Sequence, residues 1–333
     1  MDPFLEEGSG RPRALWRLLV QYWAYKVLAP LLVNLLALSW LLVRSGRETG
    51  ASGELDVSTL PGTLVLPLLS GIASLIGVLL SVWLAGRFLD RRPFADFGFH
   101  LSGGWWLDLC FGMALGALLM SAIFLVELGF GWITVTGAFR SLAPGTPFAL
   151  AMLLPATFFA CVGIYEELLF RGYQLRNAAE GLNLRVVGAR RAVILAWVLS
   201  SAFFGYLHAN NPNATLLSTC NLALAGLMLG FGYVLTGELA IPIGLHITWN
   251  LFQGGVFGLP VSGNAPLGAS VLSTDQGGPE LWTGGPFGPE AGLLGPVAMI
   301  VGGLLIALWV RLRNGKAAIH TPIAGGQHQP SDF

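Results

Sequence analysis

Six polar residues have the types and spacing needed for hydrolytic or metal chemistry, although three separate apolar segments carry them. They are Glu166, Glu167, Arg171, His208, His246 and Asn250. A carboxylate or an imidazole can take a proton from water, and an amide can donate a hydrogen bond to a developing oxyanion. Glutamate and histidine are also zinc ligands. These residues therefore leave two chemistries open, a metal-free water activation and a metal site.

The two adjacent glutamates cannot share one environment. Glu167 and Arg171 are four residues apart, so on a helix they share a face, which predicts an ion pair. Glu166 points about 100° away from Glu167. Its carboxylate must meet something else, and His208 on the next apolar segment or His246 on a later one are the candidates. His246 and Asn250 also share a helical face.

Composition places these residues in a membrane. Of 333 residues 54% are apolar and 11% are charged, and the mean hydropathy is +0.68. Eighteen basic residues balance eighteen acidic ones, so no net charge attracts nucleic acid, and we expect no such partner. Ionisable side chains inside a bilayer cost at least about 2.5 kcal/mol each, so each requires a partner, a cavity or a function.

Apolar runs predict an all-α fold, a polytopic bundle of about eight transmembrane helices. The predicted spans are 27–43, 60–85, 105–128, 148–172, 192–209, 214–235, 239–257 and 293–310. Residues 14–26 mix aromatic and basic side chains, which is typical of an interfacial helix leading into the first span. Glu166 and His208 then differ in depth. Either the fifth span begins later or is steeply tilted, or the fourth helix continues past Arg176 with Glu166 near its midpoint. The helical pattern of residues 171–180 favours the longer fourth helix.

Basic residues predict the orientation. With the N-terminus inside, fifteen of them face the cytoplasm and only Arg44, Arg47 and Arg140 face outward, in agreement with the positive-inside rule. We therefore expect an integral protein of the cell inner membrane with both termini cytoplasmic. The fifteen are Arg11, Arg13, Arg17, Lys26, Arg87, Arg91, Arg92, Arg171, Arg176, Arg185, Arg190, Arg191, Arg311, Arg313 and Lys316.

The chain divides into five predicted regions. Residues 1–26 form a cytoplasmic or interfacial segment, 27–145 the N-terminal helices, and 146–257 the core that carries the six polar residues. Residues 258–292 are rich in Gly and Pro and lack Lys and Arg, which predicts a long external loop or a partly disordered linker. Residues 293–333 hold the last helix and a cytoplasmic tail.

Three motifs in order resemble those of the CPBP family of intramembrane proteases, which includes type II CAAX prenyl endopeptidases and bacteriocin-processing or immunity homologues. They are Glu166-Glu167-x-x-x-Arg171, Phe204-x-x-x-His208 and His246-x-x-x-Asn250. All motif positions match. The resemblance covers residues 148–256 well and 87–130 loosely, including the short stretch that follows Arg92.

The resemblance implies an endopeptidase that hydrolyses a peptide bond in a membrane-associated or prenylated CaaX-like substrate. It implies that Glu166 is the base and that His208 helps to activate the same water. His246 and Asn250 would donate to the oxyanion, and Arg171 would orient Glu167. Family members are commonly classed as metalloproteases, so zinc held by Glu166, His208 and His246 stays open beside a metal-free glutamate mechanism, although the chain has no HExxH motif.

A different class of function fits the same composition. A membrane protein that binds, transports or confers immunity without catalysis could keep the polar cluster as a binding site, and Gly226-x-x-x-Gly230 would suit helix packing in either class. Loss of a motif residue would favour that alternative, and none is lost. The expected partners are the lipid bilayer and a peptide or lipidated protein substrate, and the sequence leaves the oligomeric state open.

Overall fold

The computed structural model describes residues 4–6, 10–46, 62–142 and 145–325, and it is a helical bundle. Seven helices in these ranges are long and apolar enough to cross a membrane, which confirms the predicted polytopic helical fold. Arg47 and the first residues of the second predicted span lie outside the described ranges. The helices are α1 (Ala14–Gly46), α2 (Gly62–Ala85), α3 (Gly103–Gly129), α4 (Phe148–Leu182), α5 (Ala189–Leu207), α6 (Leu216–Thr236), α7 (Ala240–Asn250), α8 (Glu280–Thr283) and α9 (Leu294–Asn314).

Helix α7 is the element predicted as a span at 239–257. It is shorter than the seven helices that are long enough to cross a membrane. Its 11 residues continue into a six-residue π-helical turn, Leu251–Val256. Nearly all of α7 is buried by neighbouring helices. A helix enclosed by protein does not need the full apolar length that contact with lipid demands. The chain still runs from one end of the bundle to the other along it.

The two ends of the bundle are built differently. At the basic end, where α2 ends and α3 begins, the Leu239 amide donates to the Gly98 carbonyl at 3.0 Å and the His320 amide to the Val234 carbonyl at 2.8 Å. At the capped end, β1 (Ile133–Ser141) pairs antiparallel with β2 (Ala269–Gln276). The chain therefore passes eight times between the ends, counted with α7 over the described ranges.

A small two-stranded sheet accompanies the predicted helical bundle, and residues 258–292, predicted as a long external loop or partly disordered linker, hold short elements of their own. This segment contains β2, α8 and two short 3-10 turns, and it buries Phe287 and Glu290. Strand β1 alternates apolar and polar residues over 133–136, whereas β2 shows no such alternation. Each exists because it pairs with a strand more than a hundred residues away, which local patterning does not reveal.

Helix α1 is continuous from Ala14, so residues 14–26 do not form a separate interfacial helix. Two of its polar residues face the protein. The Arg17 guanidinium pairs with Asp90 at 2.8 Å, and the Gln21 amide donates to Ser81 Oγ at 3.1 Å. Amphipathic composition at the start of α1 therefore reflects packing on α2.

Helix α4 continues to Leu182, which confirms the predicted extension past Arg176. The eight residues Leu168–Leu175 form a π-helical stretch, a rare form often seen at functional sites. Glu166 precedes this stretch and lies near the middle of α4. The six candidate residues thus lie on helices α4, α5 and α7, within the bundle.

Candidate functional site in the helix bundle

Glu167 joins two of the other candidate residues. Its Oε1 accepts from Arg171 Nη1 at 2.8 Å, and it lies 2.8 Å from His246 Nδ1. The Glu167 side chain is fully buried and Arg171 is 1% exposed. A carboxylate that already pairs with a guanidinium is an acceptor, so His246 carries a proton on Nδ1 and turns Nε2 the other way. The ion pair predicted from the spacing is present, and its bond to His246 was not foreseen.

Arg171 is held on three sides. Besides Glu167, its Nη2 donates to the Gly226 carbonyl at 3.0 Å, and its guanidinium carbon lies 4.7 Å from the centre of the Phe204 ring. A buried guanidinium requires such partners because its charge loses the solvation of water. Arg171 therefore links α4 to α5 and α6, and it fixes the position of Glu167.

Glycines allow these helices to approach. A Cβ on Gly163 of α4 would lie 2.6 Å from Ile247 Cγ1, and one on Gly226 of α6 would lie 3.0 Å from the Ser201 Cα. Larger residues at either position would separate α4 from α7, or α5 from α6. The close contact between α4 and α7 is what brings the His246 ring to Glu167.

Helix α3 supports α7 from the opposite side. Thr248 Oγ1 donates to the Met113 carbonyl at 2.7 Å, and a Cβ on Gly116 would clash with the backbone of Leu245. Small residues permit this kind of close packing in membranes. The backbone that carries His246 and Asn250 is therefore fixed on both faces.

Glu166 faces a cavity of about 690 Å³ inside the bundle. Its Oε2 lies 3.8 Å from His246 Nε2, and the Tyr165 hydroxyl donates to its Oε1 at 3.3 Å. The first distance is too long for a direct hydrogen bond and short enough for one water to contact both atoms. Glu166 and Glu167 thus flank the two nitrogens of one imidazole, one from the cavity and one from the packed interior.

His208 and Asn250 line the same cavity. His208 Nδ1 lies 2.7 Å from the Phe204 carbonyl. A carbonyl only accepts, so the proton is on Nδ1 and Nε2 keeps a lone pair for a water or a ligand. Four of the six residues therefore line the cavity, and Glu167 and Arg171 lie behind it.

In the described ranges, no group of three His, Cys, Asp or Glu residues is arranged to hold a metal ion. His246 uses Nδ1 on Glu167, and His208 uses Nδ1 on a backbone carbonyl. The zinc set of Glu166, His208 and His246 stays a prediction.

A family model described as type II CAAX prenyl endopeptidase Rce1-like matches residues 146–252, the segment that contains all six residues. The resemblance to the CPBP family is confirmed. A Bacillus subtilis (strain 168) protein printed as "Uncharacterized protein YyaK" is 26% identical over 260 residues, which cover 76% of this chain and 81% of that one. No solved structure matches the chain. The Rce1-like match suggests a CAAX-type protease within the membrane.

Residues outside the CPBP match complete the cavity, and sequence reasoning missed them. Tyr25 and Lys26 of α1 line it on one side, and Ser262 and Glu290 line it at the capped end. Lys26 was assigned to the cytoplasmic face from its charge, yet it lies against the cavity. A lysine within a span is itself a signal of function. Glu290 had no such signal because its segment lacks a regular pattern.

Proposed function

We propose that this protein is an intramembrane endopeptidase that hydrolyses a peptide bond with a water activated by Glu166. The observation that carries the proposal is the placement of Glu166 Oε2 and His246 Nε2, 3.8 Å apart on the wall of one cavity. A base must reach the attacking water and the water must reach the substrate carbonyl. Both conditions require a cavity beside the carboxylate, and Glu166 lines one.

In the proposed mechanism, Glu166 removes a proton from the water as its oxygen attacks the peptide carbonyl carbon. His208, with its free Nε2, accepts a hydrogen bond from the same water. Asn250 donates to the oxyanion, and His246 donates from Nε2 when its ring carries both protons. The intermediate then collapses, the C–N bond breaks, and Glu166 returns its proton to the leaving nitrogen.

Glu167 and Arg171 act through His246. Because the Glu167 carboxylate accepts from Nδ1, the ring cannot turn and Nε2 stays directed toward Glu166. A carboxylate behind an imidazole also stabilises the doubly protonated ring. The buried Glu167 and Arg171 pair therefore positions the group that contacts the substrate.

The cavity walls favour an apolar substrate. Aromatic side chains such as Tyr25, Phe158 and Trp249 line the cavity together with aliphatic ones. Such walls accept a membrane-embedded peptide or a lipid chain attached near the scissile bond. These apolar walls agree with a membrane-associated or prenylated CaaX-like substrate. A prenylated substrate is the more specific form of the proposal.

The first test is cleavage of lipid-anchored and plain apolar peptides by the purified full-length protein in liposomes. We expect the wild type to cut at least one lipid-anchored peptide. Glu166→Gln should lose nearly all turnover while substrate still binds, since the amide keeps the shape but does not accept the proton. Glu127→Gln is the control, because Glu127 is a buried carboxylate of α3 that does not line the cavity.

Two results would overturn the proposal. A fully active Glu166→Gln protein would exclude Glu166 as the base. A wild type that binds peptides and never cuts them would support the alternative, a non-enzymatic binding, immunity or transport protein. Chelation followed by zinc addition in the same assay measures whether a metal is required.

We also propose that the basic end faces the cytoplasm in the cell inner membrane, with both termini inside. The support is the clustering at this end of basic residues such as Arg17, Arg92, Arg176 and Arg313. A cysteine placed at residue 275 in β2 should react with a membrane-impermeant reagent added outside intact cells. If the cysteine reacted only after the cells are opened, the orientation would be the opposite of the proposed one.

A further inference from the structure

The Glu166 cavity contains a basic side chain that the proposed mechanism does not use. Of the described residues that line the cavity, Lys26 is the only lysine or arginine. It belongs to the first half of α1 and lies beside Tyr22 and Tyr25 on the cavity wall. A charged side chain within a membrane span is costly, so Lys26 requires an anionic partner or a function.

The part of the chain that the structure describes supplies no such partner. Two carboxylates line the cavity, and both face other groups: Glu166 lies 3.8 Å from His246 Nε2, and Glu290 accepts from the Ser262 amide. Neither is at ion-pair distance from Lys26. The ammonium nitrogen lies 5.5 Å from the centre of the Tyr22 ring. An aromatic face attracts a cation and leaves its N–H groups available to a ligand.

Lys26 lies on the basic-end side of Glu166. Arg17 of α1 and Glu180 of α4 mark one level of the bundle, because their side-chain atoms are 3.0 Å apart. Lys26 is nine residues from that level and Glu166 is fourteen, a difference of about one helical turn, or about 5 Å. The contact with Tyr22, one turn earlier in α1, turns the ammonium further toward the basic end. A ligand held by Lys26 would therefore lie beside the reacting bond and not on it.

The surroundings of Lys26 indicate which anion it would bind. The cavity walls are mainly aromatic and aliphatic, so the ligand has an apolar body. An apolar peptide always carries one negative charge, the carboxylate at its C-terminus, whereas Asp and Glu are rare in membrane segments. Phosphate is typically bound by arginine forks or by several donors together. A single ammonium on an apolar wall therefore matches a terminal carboxylate.

We propose that Lys26 binds the C-terminal carboxylate of the substrate and so selects peptides that end a few residues beyond the bond that is cut. The inference rests on the proposed function, since it assigns specificity within the same cavity. An extended peptide spans about 3.3 Å per residue, so an anchor about 10 Å from the scissile bond corresponds to about three residues. Lys26 contacts the end of the substrate and no reacting atom, so it determines which peptides bind.

The test compares peptides that differ only at the C-terminus. Fluorescent apolar peptides of fixed sequence are made in pairs, one with a free carboxylate and one with an amide. Their binding is measured on full-length Glu166→Gln protein in nanodiscs, so that binding is read without turnover. We expect the acid form to bind about tenfold more tightly, the usual size for one hydrogen bond to a charged group. With Lys26→Gln added, the ratio of acid to amide affinity should fall to about one.

Two further variants control for folding and for general charge. Lys26→Arg should keep most of the preference for the acid, because it keeps the positive charge. Lys316→Gln is the matched control, since Lys316 is an exposed lysine that does not line the cavity, and its ratio should equal that of the parent protein. Equal binding of both forms by the parent protein would overturn the proposal. So would a Lys26→Gln change that weakens acid and amide peptides alike, because Lys26 would then act on the cavity or on lipid in general.

Failure of the proposed function gives a different result. If the wild type cut none of the peptides and the preference for the acid still depended on Lys26, the carboxylate site would stand in a binding protein. If the wild type cut acid and amide peptides with equal kcat/KM, the protease would stand and the role of Lys26 would be excluded.

Discussion

Helix α4 carries two buried carboxylates whose surroundings differ in one decisive way. Glu180 accepts from Arg17 at 3.0 Å and from Arg92 at 2.5 Å, and Arg176 lies 3.7 Å away. Glu167 pairs with Arg171 and with His246. All the partners of Glu180 stay charged, whereas one partner of Glu167 can gain or lose a proton and also lines a cavity.

This difference separates a structural cluster from a candidate catalytic one. Both clusters place charges in a low-dielectric interior, where every charge must be paired. Burial and pairing alone therefore do not indicate catalysis. A titratable partner on a cavity wall, as His246 is, adds a route from the buried pair to a substrate.

The largest expected effect on stability is that of Glu180→Gln. It leaves two buried guanidinium groups without their shared carboxylate, and breaking a buried pair costs about 3–5 kcal/mol. Unfolding by SDS in mixed micelles measures the loss. Turnover per folded molecule should stay within a few-fold of the wild type. Glu280→Gln, at an exposed position, is the control and should change neither quantity. A Glu180→Gln protein that is as stable as the wild type but inactive would contradict the assignment of the Glu180 cluster to structure and of the Glu167 cluster to catalysis.

Asn250→Ala should show the opposite pattern. Removal of one oxyanion donor lowers kcat by about 100-fold to 1000-fold. The unfolding free energy should change little, because among the described residues the Asn250 side chain, which lines the cavity, has no hydrogen bond to another helix. Cleavage kinetics with the best peptide found for the wild type measure it. Asn314→Ala, at the exposed end of α9, is a matched substitution away from the cavity. An Asn250→Ala protein with an unchanged kcat would show that the oxyanion has other donors.

The smallest expected effect concerns pH and the capped end. Burial raises the pKa of Glu290, whose carboxylate accepts from Gln253 and from the Ser262 amide. The folded protein then keeps this proton to a higher pH than the unfolded chain. The free energy of unfolding should therefore fall as pH rises from the ordinary glutamate pKa, about 4.3, through the raised one.

Glu290→Gln should remove this part of the pH dependence, because an amide does not titrate. Thermal unfolding of both proteins over the same pH range gives the comparison. If the stability of the wild type and of Glu290→Gln changed with pH in parallel, Glu290 would not be the source of this pH dependence. Glu280→Gln, in the same segment and exposed, should keep the wild-type slope.

The amino-acid sequence by itself determined the membrane class, the positions of the helices and the pairing of Glu167 with Arg171. Long apolar runs and four-residue spacing are local properties, and local geometry follows from them directly. The same reasoning required a partner for Glu166 and offered His208 and His246. The extension of α4 past Arg176 also followed, since residues 171–180 have a helical pattern.

Only the tertiary structure decided which atoms meet. It placed His246 between Glu166 and Glu167, paired β1 with β2, ordered residues 258–292 as a cap, and drew Lys26 to the cavity. These contacts join segments dozens to more than a hundred residues apart. They depend on close approaches at positions such as Gly163 and Gly116, where one added carbon would move a helix. Such distances arise from packing of the whole bundle, and no local pattern encodes them.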